Sequence, residues 1–220
     1  MNSSQPRRMS KDYAYFEIKN KILNGDFTPE ESLIESKLAK ELDISKTPLR
    51  EALQKLEVEE LVVRQANGRL KTPSITVQEA EEIFLVRSYL EGIIAKQATD
   101  HATKEDIDSL SGICDKINQA IEAKNIEEIL HYGTKFHEQL YRMSGNRTVV
   151  KILSQLNDHV TRYRRLVPIN NEEMYMQNTD EHSIILQHII EGDRLGAEST
   201  MRSHILSSMS VAVEAIKKME

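Results

Sequence analysis

From residue 77 onward, apolar side chains recur every three or four positions, with no stretch of strand-like alternation. That spacing puts them on one stripe of an α-helix, and such a stripe must be buried against another element. Ile83, Phe84, Leu90, Ile94 and Ala98 form one stripe; Ile107, Leu110, Cys114, Ile117 and Ile121 form the next. Ile129, Leu130, Phe136, Leu140 and Tyr141 follow, then Val149, Ile152, Leu153 and Leu156, then Ile184, Ile185, Ile189 and Ile190. Thr76-Val-Gln-Glu79 reads as a capping box and Thr103-Lys-Glu-Asp106 as a similar start. Gly145 and Gly192 stand where helices end, and Pro168 closes another. Six helices are expected between 77 and 219, which is an all-helical bundle.

The first third of the chain follows a different pattern. Residues 11–24 read as a helix with Tyr15, Ile18, Ile22 and Leu23 on one face, broken by Asp26-Phe-Thr-Pro29. A second helix is expected over about 35–42, carrying Leu38, Ala39 and Leu42. After the turn Asp43-Ile-Ser45, a third covers about 47–59, with Pro48 in its first turn and Leu49, Ala52, Leu53 and Leu56 buried. Two short helices joined by a tight turn make a helix-turn-helix. The period then drops to two: Leu61-Val-Val-Arg64 and Arg69-Leu-Lys-Thr72 flank Ala66-Asn-Gly68, a hairpin signal. Helix, helix-turn-helix, hairpin is the order of a winged helix. The expected fold is therefore mostly α, with a winged helix-turn-helix over 1–75 and the helical bundle over 76–220.

Composition narrows the function. One cysteine, Cys114, excludes an internal disulfide framework and a Cys-rich zinc module, and it reads as a small buried hydrophobe. No window approaches the length of a membrane span, and the polar start MNSSQPRRMS does not read as a secretory signal, so a cytoplasmic protein is expected. The net charge of −6 argues at first against nucleic acid. Its distribution reverses the argument. Residues 1–76 hold 13 Lys+Arg and 12 Asp+Glu, and the remaining 16 basic and 23 acidic side chains lie in 77–220. A near-neutral N-terminal module can present a local basic face.

The exposed chemistry of that module suits DNA. Ser45, Lys46, Thr47 and Arg50 open the third helix, and the first turn of a recognition helix is the part that enters the major groove. Arg50 can donate two hydrogen bonds to guanine, while Lys46 and Thr47 suit a phosphate or a base edge. Ser36 in the second helix and Asn67, Gly68 and Arg69 in the hairpin complete the expected contact set. Arg64 and Lys71 surround the same glycine.

The run from Leu38-Ala-Lys-Glu-Leu-Asp-Ile-Ser-Lys-Thr-Pro-Leu-Arg-Glu-Ala-Leu to Glu57, followed by Glu60-Leu-Val, resembles the GntR family of bacterial transcription regulators. Three positions depart from the family's pattern: Asp43 and Glu60 stand where glycine is usual, and Lys46 stands where arginine is usual. The C-terminal part resembles the FCD ligand-binding domain of the FadR subfamily. The resemblance rests on Val86-Arg87-Ser-Tyr-Leu-Glu91, Phe136-His137, Ser144-Gly-Asn146, Glu181-His182, Gly192-Asp193 and His204. It implies a homodimeric regulator, a repressor, that binds near-palindromic operator DNA and is modulated by a small organic or sugar acid.

Seven histidines punctuate the helices. His137, His182 and His204 fall on three different helices, each within an apolar stripe. Inward side chains from separate helices are how bundles build metal sites, and imidazole suits divalent zinc or nickel. His131 and His188 lie off that face; His101 and His159 read as structural or solvated. The FCD resemblance implies an aspartate one turn before the first ligand, where this chain has Gly133, so metal affinity is expected to be weakened. Three uses of the histidines stay open: a metal seat, a direct anion pocket, or a metal-dependent enzyme. Arg87 either clamps an effector carboxylate or pairs with Glu91, one turn on. Arg162, Tyr163, Arg164 and Arg165 read as a solvated basic face.

Overall fold

The computed structural model describes residues 5–164 and 180–218. Pro168 and Arg165 lie outside the described residues. Backbone packing separates the chain into two units, Met1–Thr76 and Val77–Glu220.

The first unit holds α1 (Gln5–Asn24), β1 (Ser32–Leu33), α2 (Glu35–Glu41), α3 (Lys46–Val58), β2 (Val63–Arg64) and β3 (Leu70–Lys71). It is a winged helix. Its core joins Tyr15, Ile18 and Ile22 of α1 to Leu49, Leu53 and Leu56 of α3, and is closed by Leu33, Leu61 and Leu70. The hydroxyl of Tyr15 donates to Glu59 at 2.8 Å, and the Lys55 ammonium sits 3.4 Å from the ring centroid, tying α1 to the end of α3. The sheet is antiparallel in the order β1-β3-β2, so β3 is central. Strand β1 was not among the sequence expectations. It is two residues long, too short to show alternation, and exists through its pairing with β3 (Ser32 opposite Lys71).

The wing turn also differs in detail. An Asn-Gly pair suggests a turn with both residues left-handed. Here Gly68 N–H donates to Gln65 O at 2.8 Å, so the turn is centred on Ala66 and Asn67. Gly68 alone of the pair takes positive φ (80°), leaving the turn, and Asn67 Oδ1 accepts from Arg69 N at 2.9 Å.

The second unit holds α4 (Val77–His101), α5 (Lys104–Glu122), α6 (Ile126–Ser144), α7 (Arg147–Arg164), α8 (Asp180–Glu191) and α9 (Arg194–Lys217). Among the described residues these are six helices, the number expected. Thr103 and Asp106 form the capping box at the start of α5, and Gly145 ends α6 in the left-handed region. Helix α4 packs against α6, α7, α8 and α9. Its contact with α9 is close at Gly92, where a Cβ would stand 2.8 Å from Cγ of Arg202. Phe84, Ile94, Phe136, Leu140, Leu153, Ile185, Met201 and Ile205 fill the core, and Cys114 is buried as expected. Ile152, Ile184 and Ile190, members of the apolar stripes, are instead exposed at the stripe edges.

The departures Asp43 and Glu60 acquire a structural meaning. Both have positive φ, 50° and 57°. Each is the residue after a helix C-cap in a Schellman arrangement. Ile44 N donates to Ala39 O at 3.0 Å after α2, and Leu61 N donates to Leu56 O at 3.0 Å after α3. A Cβ in that conformation costs roughly 1–2 kcal/mol, partly offset by the freedom a glycine loses on folding. Asp tolerates it better than Glu because its short side chain bonds locally. Glu60→Gly is therefore expected to stabilise the winged helix by about 1 kcal/mol, and Asp43→Gly by less. Amide exchange in α3 reads this separately from the helical unit; slower exchange in Glu60→Gly is the expected result.

Candidate functional site

The winged helix gathers the expected DNA-contact residues on its surface. Ser45 is the N-cap residue of α3, and Ser45, Lys46, Thr47 and Arg50 are all exposed around its first turns, over the buried Pro48 and Leu49. Ser36 is exposed on α2, and Asn67, Gly68 and Arg69 are exposed at the wing tip. Two arginines here are held by carboxylates. Arg50 Nε donates to Glu35 at 2.8 Å, and Arg64 Nη2 donates to Glu57 at 2.8 Å. Both pairs are solvent-exposed, and pairs of that kind are worth up to about 1 kcal/mol, so phosphates or base edges can displace Glu35 and Glu57 at small cost. Ser45 makes no side-chain cap bond, which leaves its hydroxyl for an outside partner.

In the helical unit, His137 (α6), His182 (α8) and His204 (α9) converge, each buried. One nitrogen from each lies within 4.8 Å of the others. Their rings pack together, His137 on His204 with centroids 5.4 Å apart and His182 against His204 at 4.5 Å. Phe136 presents its ring to His182 at 4.9 Å, forming the apolar floor.

Two carboxylates orient this set. Nδ1 of His137 lies 3.2 Å from Glu91 Oε2, and Nδ1 of His204 lies 2.9 Å from Glu181 Oε2. Glu91 is completely buried. Its Oε1 also accepts from Arg87 Nη2 at 3.0 Å and from the Tyr141 hydroxyl at 2.6 Å. Glu181 Oε1 accepts from Ser207 at 3.3 Å. With Nδ1 engaged, Nε2 of His137 and of His204 is the nitrogen left for a ligand, the arrangement found behind metal-bound imidazoles. Both nitrogens of His182 are buried without a hydrogen-bond partner. Gly133 lies one turn before His137, and a Cβ there would meet only Cε1 and Nε2 of His182, at 3.9 Å. The donor set fits a divalent ion: three neutral imidazoles, two of them backed by carboxylates and one unpaired.

Arg87 forms the pair with Glu91, both residues almost without exposure. Its Nε and Nη1 are buried without hydrogen-bond partners. The basic face expected at Arg162, Tyr163 and Arg164 needs correction. Arg162 is 5% exposed and Tyr163 0%, and the Tyr163 ring packs on Phe84 at 6.3 Å. The charged appearance of the segment hid its position on the inner side of α7. His159 is buried as well, with Nδ1 3.7 Å from Glu79, whereas His101 and His131 are exposed and His188 faces Asp193 at 3.0 Å. Sequence reasoning took Glu91 only as a partner for Arg87 and gave Glu181 and Tyr141 no role at the site. The available signal was Glu91 itself, a charge between Leu90 and Ile94 on the inner face of α4.

A winged helix with basic side chains on its third helix and wing, followed by a helical domain, defines a DNA-binding transcription regulator. The pattern of bacterial regulatory proteins of the gntR family matches residues 11–70, and that of the FCD domain matches residues 82–207. The chain belongs to the GntR family. It is 27% identical over 191 residues to the HTH-type regulator YdhC of Bacillus subtilis, covering 86% of this chain and 85% of that one. It is 26% identical over 207 residues to the transcriptional repressor GlaR of Escherichia coli, covering 90% and 94%. Its fold is similar to that of Escherichia coli McbR/YncC, with a TM-score of 0.76 at 20% identity over 93% of this chain and 97% of that one. These families and relatives are transcription regulators, so the enzymatic reading of the histidines is set aside. Among the described residues, no helix is long and apolar enough to cross a membrane.

The pocket's burial has a consequence for stability. Desolvation pulls His137 down to about 4, against the opposing pull of Glu91, and pulls His182 well below its ordinary value, reinforced by His204 and His137. Between about pH 6.5, where a free imidazole titrates, and about pH 4, the unfolded chain takes up protons that the folded pocket refuses. Stability therefore falls as pH falls through that window. Metal-stripped protein should melt at a lower temperature at pH 5 than at pH 7, and His182→Phe should narrow the difference. An unchanged melting temperature would mean that the imidazoles are solvated.

Proposed function

We propose that this chain is a cytoplasmic, homodimeric repressor of the FadR subfamily. Its operator affinity is set by a small organic or sugar acid bound in the helical domain at a divalent ion, zinc or nickel. The observation that carries the reading is the buried triad of His137, His182 and His204, with carboxylates behind two members and no partner on the third. A buried imidazole with both nitrogens unpaired loses hydrogen bonds it would have in water, and an ion restores the balance. When bound, the ion supplies a Lewis-acidic seat for a ligand oxygen. Glu91 and Glu181 hold the imidazoles in the tautomer with Nε2 lone pairs inward. Arg87 neutralises Glu91, and its Nε and Nη1 are the remaining donors for an effector carboxylate.

At the DNA end, Arg50 reads a base edge, Ser45, Lys46 and Thr47 hold the backbone or a base, and Ser36, Asn67, Gly68 and Arg69 add backbone and groove contacts. Lys46 is a point charge where a bidentate fork would discriminate more strongly. A near-palindromic operator needs two copies. In support of pairing through the helical domain, α4 leaves Leu85, Val86, Tyr89 and Ile93 exposed at helical spacing. Effector and operator are linked: a ligand that favours the DNA-free state lowers operator affinity by its own differential binding. The repressor GlaR among the relatives supports the sign.

Two outcomes are expected. Arg50→Ala should lower affinity for an operator selected from random duplexes with the wild-type protein by roughly ten- to a hundredfold, the discrimination of one bidentate contact, with the circular dichroism unchanged. Normal affinity would remove α3 from the recognition role. Protein purified without chelator should carry about one zinc or nickel per chain by elemental analysis, the capacity of a single three-His seat, and His137→Ala should lose it. A metal-free wild type that still responds to organic acids would favour direct anion binding at the histidines and Arg87.

A further inference from the structure

The two arginines held by carboxylates on the winged helix are held differently. Arg50 is bonded through Nε to Glu35. Arg64, the last residue of β2, uses three nitrogens. Its Nε donates to Glu57 Oε1 at 3.0 Å, its Nη2 to Glu57 Oε2 at 2.8 Å, and its Nη1 to Gly68 O at 3.2 Å. Glu57 stands in the last turn of α3, and Gly68 is the left-handed residue at the tip of the wing, with φ of 80°. One side chain therefore runs from α3 to the backbone of the wing tip. The β2–β3 ladder stops short of that tip, at Arg64 opposite Leu70. Beyond it, Gln65 N–H donates to Arg69 O and Gly68 N–H to Gln65 O, each at 2.8 Å, and Arg69 N–H to Asn67 Oδ1 at 2.9 Å. Those bonds fix the shape of the turn and not its distance from α3.

We infer that Glu57 and Arg64 are positioning residues for DNA binding: they brace the wing tip against α3, so that Asn67, Gly68 and Arg69 meet the duplex in register with the first turns of α3. The inference rests on the DNA-face reading above and adds what sets the spacing between its two halves. A fork-on-carboxylate pair fixes the plane of a guanidinium, which a single point contact does not. With that plane fixed, Nη1 has one direction, and the Gly68 carbonyl lies along it. Glu57 thus acts through Arg64 on the backbone of the residues that touch DNA. Strands of two residues specify a hairpin tip weakly, and a tip that must be ordered on binding subtracts from affinity. The pair can be weak and still act in this way, because the freedom it removes is that of one short turn. A phosphate that drew Arg64 away from Glu57 would also release Gly68, so Arg64 serves the complex from its carboxylate. Lysine at this position would keep the charge and lose the fork.

The test uses the full-length protein and the operator duplex selected with wild type. Both side chains are partly exposed, so their replacement leaves the domain folded. Removing the charge of Glu57 separates the brace from simple electrostatics, because a carboxylate lost from beside phosphates would by itself tighten binding. Glu57→Gln should instead bind the operator on the order of threefold to tenfold more weakly, the scale of ordering one flexible side chain. Arg64→Lys should weaken binding in the same way although its charge is kept. Arg69→Ala should weaken wild type by roughly tenfold but Glu57→Gln by less than about threefold, since a tip already loose has less to lose. Glu57→Gln that binds as tightly as wild type, or more tightly, overturns the brace. So does Arg64→Lys at wild-type affinity, and so does an equal loss from Arg69→Ala in both backgrounds. Arg69→Ala without effect on wild type would take the wing out of the DNA reading and this inference with it, while Arg50→Ala tests α3 separately.

Discussion

The helical domain is arranged around a carboxylate with no exposed surface. An ionised Glu91 alone in the interior would cost several kcal/mol. It is tolerated because Arg87 one turn before it, and His137 and Tyr141 one turn apart on α6, all point at it. Burial opposes its charge, but His137 and Arg87, with the hydrogen bonds of His137 and Tyr141, outweigh that and hold its carboxyl below the ordinary range. The Tyr141 oxygen also accepts from Asn157 of α7 at 3.3 Å. One carboxylate thus fixes the rotation of α4, α6 and α7 relative to one another. The orientation of His137, and with it the pocket, follows from that arrangement.

A related logic operates on the exposed surface of the winged helix, with the opposite energetics. Glu35 and Glu57 hold Arg50 and Arg64 in water rather than in the interior, so the same pairing of charges is weak and exchangeable. The carboxylates limit the wandering of two long side chains without committing them. Buried, an ion pair sets the geometry of a pocket; exposed, it only biases two long side chains.

Much of the fold was legible because its signals are local. Thr103 and Asp106 cap α5 through atoms three residues apart, and the stripes of α4 to α8 depend only on helical period. The glycine departures at Asp43 and Glu60 were visible too, although their cost became clear only when both proved to be left-handed helix ends. The failures share one cause. Strand β1 is defined by a partner about forty residues away, Arg162 and Tyr163 look like surface until α7 is turned against Phe84, and Ile184 and Ile190 look like core until α8 is seen to bury Ile185, Leu186 and Ile189 instead.

By itself the sequence determined the winged helix, the helical domain, the family, and the presence of His137, His182 and His204 on three separate helices. These depend on period, caps and spacing within about one element. The tertiary structure alone decided that those histidines meet, that Glu91 and Glu181 stand behind two of them, and that Gly133 opens toward the third. Glu91 and His137 are 46 residues apart, and Glu181 and His204 are 23 apart. What brings such residues into hydrogen-bond range is the packing of whole helices, in which burial selects the partners and no local pattern records the choice.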